Sequence, residues 1–287
     1  MAARWGCAGI LFAVSARLRA IARETVEIAE RGSYRTGDGV ESVREEIAAA
    51  VAGTRVYEPD EVLRGLPTRG GDMRIEVTNE SSLGAARRLT GATADGWVAC
   101  LVFGSARNPA GGFLNGAQAQ EESIARGSAL YACQRAVPEF YAYHRAHPDL
   151  TYSDRVIYSP GVPVFRDEDD NLLPAARLVA FLTAAAPNRA AIARSQPEHL
   201  KEIPAILRHR AVRVLDVAAQ HGHSKLVLGA WGCGVFGNDP TTVATAFAAA
   251  LEQNRSFDRV TFAVLDRQRG TPTYDAFAEV FGVTTPS

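Results

Sequence analysis

The sequence predicts an α/β fold: a layered sheet with helices on both faces, preceded by an N-terminal helical extension. From about residue 73 onward, short β-rich runs alternate with helix-period segments, the pattern of a layered sheet rather than of separate α and β blocks. Two glycine-loaded segments also follow candidate strands directly. In such sheets ligands sit outside the carboxyl ends of the strands, so these segments are where function is expected.

Residues 1–70 read as helical and then irregular. Segments 16–31 and 40–51 carry apolar residues at three-and-four spacing, as an amphipathic helix requires. The glycine-rich stretch 32–39 connects them, and the Pro/Gly-punctuated stretch 59–72 reads as a linker. The main body, 71–287, offers strands at 73–78, 97–103, 155–158, 178–183, 226–230 and 259–265. Helical patterns fall between most of them, at 81–89, 123–136, 200–220 and 241–253.

Composition narrows the function classes. Of 287 residues, 47% are hydrophobic and 22% charged, with a net charge of -1, which suits one large domain with an extension. Without a basic excess, direct binding to nucleic-acid backbone is not expected. A phosphate-rich ligand would instead be held by backbone groups in a shaped site. Cys7, Cys100, Cys133 and Cys233 are scattered with no CxxC pair, which fits a reducing cytoplasm better than a disulfide framework. The apolar run 6–14 after Arg4 is short for a signal peptide and feeds a charged helix. No stretch reaches the roughly 18–20 apolar residues of a membrane span. His144, His147, His221 and His223 lack a third close ligand, so no metal is expected. Arg87-Arg88 and Arg208-His209-Arg210 read as solvated helix faces, Trp97 and Trp231 as core.

The first glycine loop runs from Gly104 to the triplet Gln120-Glu121-Glu122, with a helix expected from about Ser123. Glycines at a strand end permit positive φ and close backbone approach. A carboxylic acid beside a glycosidic oxygen can protonate the leaving group, and its conjugate base can activate water. Adjacent glutamates on a helix point about 100° apart, so they cannot flank a bond as two opposed carboxylates. One would move the proton while its neighbour binds a hydroxyl. Both also suit a merely electrostatic part at a helix N-terminus.

The second loop runs from Gly229 to Pro240, and Gly232, Gly234 and Gly237 spell GxGxxG. It lies late in the chain, and Glu252 falls inside the following helix, so the dinucleotide-dehydrogenase reading is weak. Backbone binding of a diphosphate at this turn and helix start is physically sensible, with Phe236 either against a ribose or base or in the core.

At these two loops the chain resembles the bacterial-type poly(ADP-ribose) glycohydrolases, a macrodomain-related family. The family pattern is a glycine triplet, six to eight residues, then Gln-Glu-Glu; here Ala110-Gly111-Gly112 is followed by seven residues and Gln120-Glu121-Glu122. Ala110 departs from the pattern. If that position needs positive φ, alanine costs about 1 kcal/mol or more. The stretches 77–80, 158–166, 185–188 and 229–240 carry further likeness, and the resemblance spans most of 16–282.

The resemblance implies a three-layer α/β/α macrodomain-like mixed sheet and hydrolysis of ribose–ribose O-glycosidic bonds in poly(ADP-ribose), releasing ADP-ribose from chain ends. It implies Glu122 as general acid/base and Glu121 as a hydrogen-bond partner of a ribose hydroxyl of the neighbouring unit. Asn108 would contact the reacting ribose and Gln120 the substrate. Gly111, Gly112, Gly232, Gly234 and Val235 would present backbone to the diphosphate, and Phe236 would pack on the ligand. No cofactor or metal is implied. The expected partners are ADP-ribose polymer and ADP-ribosylated proteins as substrates, acted on by a monomer away from membranes. Two other activities share these motifs: ADP-ribose binding without hydrolysis, and hydrolysis of mono-ADP-ribosylated targets.

Overall fold

The computed structural model describes residues 4–69, 72–90 and 98–283, with side chains from Ser15 onward. In chain order its elements begin with α1 (Arg4–Arg31), a hairpin of β1 (Ser33–Thr36) and β2 (Gly39–Ser42), α2 (Arg44–Gly53) and β3 (Arg55–Tyr57). β4 (Arg74–Thr78), α3 (Ser82–Leu89), β5 (Ala99–Phe103), α4 (Gln120–Gly127), α5 (Leu130–Arg135) and α6 (Pro138–Ala146) follow. The chain continues through β6 (Val156–Arg166), β7 (Leu172–Ala184), α7 (Arg189–Ser195), α8 (Ile203–Gln220), β8 (Lys225–Leu228), α9 (Pro240–Gln253), β9 (Arg259–Ala263) and α10 (Pro272–Val280).

Seven strands form one mixed sheet in the order β3-β6-β7-β5-β8-β9-β4. The five from β7 to β4 run parallel, while β6 is antiparallel to both its neighbours. β5, the continuous apolar run Ala-Cys-Leu-Val-Phe, lies between β7 and β8, as expected of a strand covered on both faces. Its side chains alternate between two cores. Leu101 joins Leu182, Leu226 and Phe262 under α8, α9 and α10. Cys100 and Val102 join Phe181 and Val227 under the helices α1 to α5. The expected three-layer α/β/α architecture is the one adopted.

Several boundaries differ from expectation. The stretch 32–39 is not a loose connection; it opens the β1–β2 hairpin, and Val40 pairs with Arg35 in a strand instead of starting a helix. The expected strand 155–158 extends to Arg166 through Pro160, Gly161 and Pro163. Register shifts accommodate it, with Gly161 at φ 49, because a bulge tolerates residues that cannot donate to a ladder. The single helix expected over 123–136 is two, α4 and α5, broken at Ser128, whose Oγ donates to Ile124 O. Within the first 70 residues, β3 pairs with β6 as an edge of the main sheet. Trp97 and the side chain of Cys7 lie outside the described residues. Among the described residues, no helix is long and apolar enough to cross a membrane.

Candidate active site

β5 and β8 are parallel neighbours, so the loops that follow them emerge side by side at the carboxyl ends of the central strands. Ala184, the last residue of β7, accepts from both: Gly104 N at 3.0 Å and Trp231 Nε1 at 3.0 Å. The second loop leaves β8 hard against Phe103, so a side chain on Gly229 would meet that ring at 3.0 Å.

Gln120 pins the return of the first loop. Its Oε1 accepts from Phe103 N (2.9 Å), and its Nε2 donates to Leu101 O (2.7 Å) and Ser82 Oγ (3.0 Å). The side chain therefore extends the bonding of β5 and seats the start of α4 beside it. This corrects two expectations. The helix begins at Gln120, not Ser123, and the Gln120 amide is occupied inside the protein instead of facing substrate.

Glu121 and Glu122 thus fall in the first turn of α4, yet their carboxylates reach into the loop. Glu121 Oε2 accepts from Ser105 N (2.7 Å) and Oε1 from Gln134 Nε2 (3.1 Å). Glu122 Oε1 accepts from Gly112 N (2.9 Å). Both converge on Gly111: a Cβ there would stand 2.5 Å from Glu122 Oε1 and 3.1 Å from Glu121 Oε2. Two carboxylates have been drawn together by a loop that folds back over them, although the helix alone would splay them.

Burial sets their electrostatics. Glu121 is 3% exposed and Glu122 8%. Desolvation, reinforced by the Glu122 charge, pushes the Glu121 carboxyl up to about 8, against the opposing pull of the Ser105 N–H and the Gln134 amide. Glu122 Oε2 differs from the other three oxygens: it is buried and has no hydrogen-bond partner among the described residues. An unsatisfied buried acceptor is costly, and it leaves this one oxygen of the pair with unused hydrogen-bonding capacity.

The loop backbone serves these carboxylates. Ala110 and Gly111 both adopt left-handed φ, 53 and 54, so the alanine that replaces glycine does carry strain. Gly111 N donates to Asn108 O and Gly112 N to Glu122, so these N–H groups are engaged internally, contrary to the expectation that they face a diphosphate. The Asn108 side chain is exposed. Arg126, one helical turn after Glu122 and 5% exposed, donates to Ala117 O (2.7 Å) and braces the loop exit.

The second loop is built differently. Gly232 (φ 73) admits no side chain, since a Cβ would lie 2.5 Å from Asn238 Nδ2, and Asn238 N closes the turn on Gly232 O (3.0 Å). Gly234 faces open space, and Val235 is 87% exposed. Among the described residues, the N–H groups of Gly232, Gly234, Val235 and Phe236 have no acceptor. Phe236 is half-buried, its ring 6.1 Å from that of Tyr152, which stands at φ 62. Arg210 supports this corner. It was expected on a solvated face but is 2% exposed, bonded to Asp154 Oδ1 (2.7 Å), Thr151 O (3.0 Å) and Ala185 O (2.6 Å).

Sequence reasoning missed Gln134, Thr183, Arg126, Tyr152 and Arg210. Only Arg126 carried a local signal, lying four residues after Glu122 on one helix. The histidines do structural work. His144 bonds Phe140 O and Ser153 Oγ, and His221 stacks on Tyr158 at 3.5 Å. Among the described residues, no group of three His, Cys, Asp or Glu could hold a metal ion.

The family model described as microbial-type PARG, catalytic domain, matches residues 22–167. Similar solved structures include a poly(ADP-ribose) glycohydrolase of Thermomonospora curvata, 52% identical, with a TM-score of 0.86 over 92% of this chain and 99% of that one. The same enzyme solved with the inhibitor ADP-HPD gives 0.84 at 52% identity, covering 92% of this chain and 98% of that one. A poly(ADP-ribose) glycohydrolase of Deinococcus radiodurans in complex with ADP-ribose is 45% identical, with a TM-score of 0.77 over 83% of this chain and 98% of that one. No curated protein matches the chain at a significant level.

Proposed function

We propose the function from one premise: this chain belongs to the microbial-type poly(ADP-ribose) glycohydrolase family. It hydrolyses ribose–ribose O-glycosidic bonds of poly(ADP-ribose) and releases ADP-ribose, working from chain ends. The observation that carries the site assignment is the free, buried Oε2 of Glu122 in a carboxylate pair beneath the glycine loop.

In this reading Glu122 protonates the ribose oxygen that leaves, and an oxocarbenium-like centre forms at the anomeric carbon. The ionised Glu122 then takes a proton from the attacking water. Burial raises the Glu121 carboxyl to about 8, so at neutral pH Glu121 stands neutral beside Glu122. Glu121 binds a ribose hydroxyl of the neighbouring unit, and Asn108 contacts the reacting ribose from the loop surface. The diphosphate lies on the unengaged N–H groups of Gly232, Gly234 and Val235, a binding mode suited to a chain with no basic excess. Phe236, paired with Tyr152, packs on the ligand.

Residues 71–287 act as the catalytic body and residues 1–70 as its N-terminal extension, which lends β3 to the catalytic sheet. The enzyme acts as a cytoplasmic monomer on polymer carried by ADP-ribosylated proteins. The deciding experiment is product analysis on poly(ADP-ribose) with the wild type and Glu122→Gln. Loss of ADP-ribose release with retained ADP-ribose binding supports the assignment; equal turnover sinks it. Release from polymer but not from singly modified targets separates this activity from mono-ADP-ribose hydrolysis.

A further inference from the structure

We infer that Gln134 is a positioning residue for this hydrolysis, its buried amide fixing the Glu121–Glu122 pair against the glycine loop. The inference rests on the function proposed above and adds a residue outside both glycine loops.

Gln134 lies on α5 and is 0% exposed. Its Oε1 accepts from Ala110 N at 2.7 Å, and its Nε2 donates to Glu121 Oε1 at 3.1 Å and to Thr183 Oγ1 at 3.2 Å. One side chain therefore ties the loop, the first turn of α4 and the end of β7 together. The amide orientation is forced: Ala110 N–H can only donate, so it must meet Oε1, and Nε2 then faces Glu121. The flipped amide would oppose two donors at Ala110.

The anchor is placed where the backbone needs it. Ala110 holds φ 53, a left-handed conformation that a non-glycine residue adopts only under strain. The next residue, Gly111, is the one both carboxylates crowd, and Gly112 N holds Glu122 Oε1. A change at position 134 thus reaches Glu121 directly and Glu122 through three loop residues. It also alters the proton balance of the pair, since the Gln134 amide favours ionised Glu121 while burial opposes it. The ionisable groups that face Glu121 are Glu122 on its own helix and Tyr141 on α6.

Two variants separate positioning from bulk stability. Gln134→Glu keeps an acceptor for Ala110 N–H but loses the amide donor toward Glu121; Gln134→Met loses both. Steady-state kinetics on poly(ADP-ribose) across pH should show kcat at neutral pH reduced roughly ten- to a hundredfold, more in Gln134→Met, with KM changed much less. The alkaline limb of kcat/KM should move to higher pH in Gln134→Glu. A Gln134→Glu enzyme with wild-type kcat and an unmoved limb overturns the inference, as does loss of melting temperature alone in both variants. Calorimetry of ADP-ribose binding across pH reads the same shift without turnover. Wild-type protein that binds ADP-ribose but leaves polymer intact would count against the proposed function, while the calorimetric comparison would still decide the role of Gln134.

Discussion

The two glycine-rich loops leave neighbouring strands and share an anchor at Ala184, yet they use their backbones in opposite ways. In the first, the N–H groups of Ser105, Ala110, Gly111 and Gly112 are all engaged inside the protein, three of them by Glu121, Gln134 and Glu122 side chains. In the second, four N–H groups from Gly232 to Phe236 have no acceptor among the described residues. The same residue type therefore serves two physical ends. Glycine in the first loop makes room: the space a side chain would fill at Gly111 is occupied by carboxylate oxygens. In the second it keeps a surface bare, with open space over Gly234. In the proposed function, the first loop holds the acid and the second receives the anion.

This contrast is open to direct challenge. The largest effect should come from Glu122→Gln. Loss of general acid/base help is worth about 10²–10⁴ in rate, so kcat should fall at least a hundredfold while ADP-ribose affinity, measured by calorimetry, stays near that of the wild type. Phe236→Ala acts on the other loop. Stacking of a base on an aromatic ring contributes roughly 1–3 kcal/mol, so the ADP-ribose Kd should rise about tenfold or more with kcat changed less. An equal fall in kcat would mean that the loops do not divide the work.

The pH dependence sharpens the same division. Because the Glu121 carboxyl is raised to about 8, Glu121 is neutral below that pH and adds a buried negative charge beside Glu122 above it. Activity should therefore decline as pH rises through about 8, and rate–pH profiles read this directly. The linkage has the same sign for stability: the folded state holds a proton that the unfolded state releases from about 4.5 upward, so stability falls as pH rises toward 8. Melting curves of Glu121→Gln should be flatter over that range. The smallest effect should be Ala110→Gly. It relieves a left-handed alanine but removes a methyl group buried beside Ala22, Phe113 and Ala125, so opposing contributions of about 1 kcal/mol each should nearly cancel in thermal unfolding.

Much of the fold was legible because its signals are local. β5 reads as a buried strand from its own five residues. The strand ends and the glycines after them locate both loops, and Gln120-Glu121-Glu122 marks where the carboxylate pair lies. Other features had no local signature. Arg210 looks like one cation in a basic helix segment, and only packing against Thr151, Asp154 and Ala185 makes it a buried brace. Gln120 sits in the motif and looks like a substrate contact, but its amide is taken up by β5 and Ser82.

The sequence by itself determined the layered architecture, the two loops and the identity of the acidic residues, because periodicity, glycine placement and side-chain chemistry are properties of adjacent residues. The tertiary structure decided which carboxylate oxygen and which loop N–H groups stay unpartnered among the described residues, and that Gln134 joins α5 to the loop. Those outcomes depend on which distant groups satisfy each buried donor and acceptor, and that pairing exists only once helices, strands and loops have packed together.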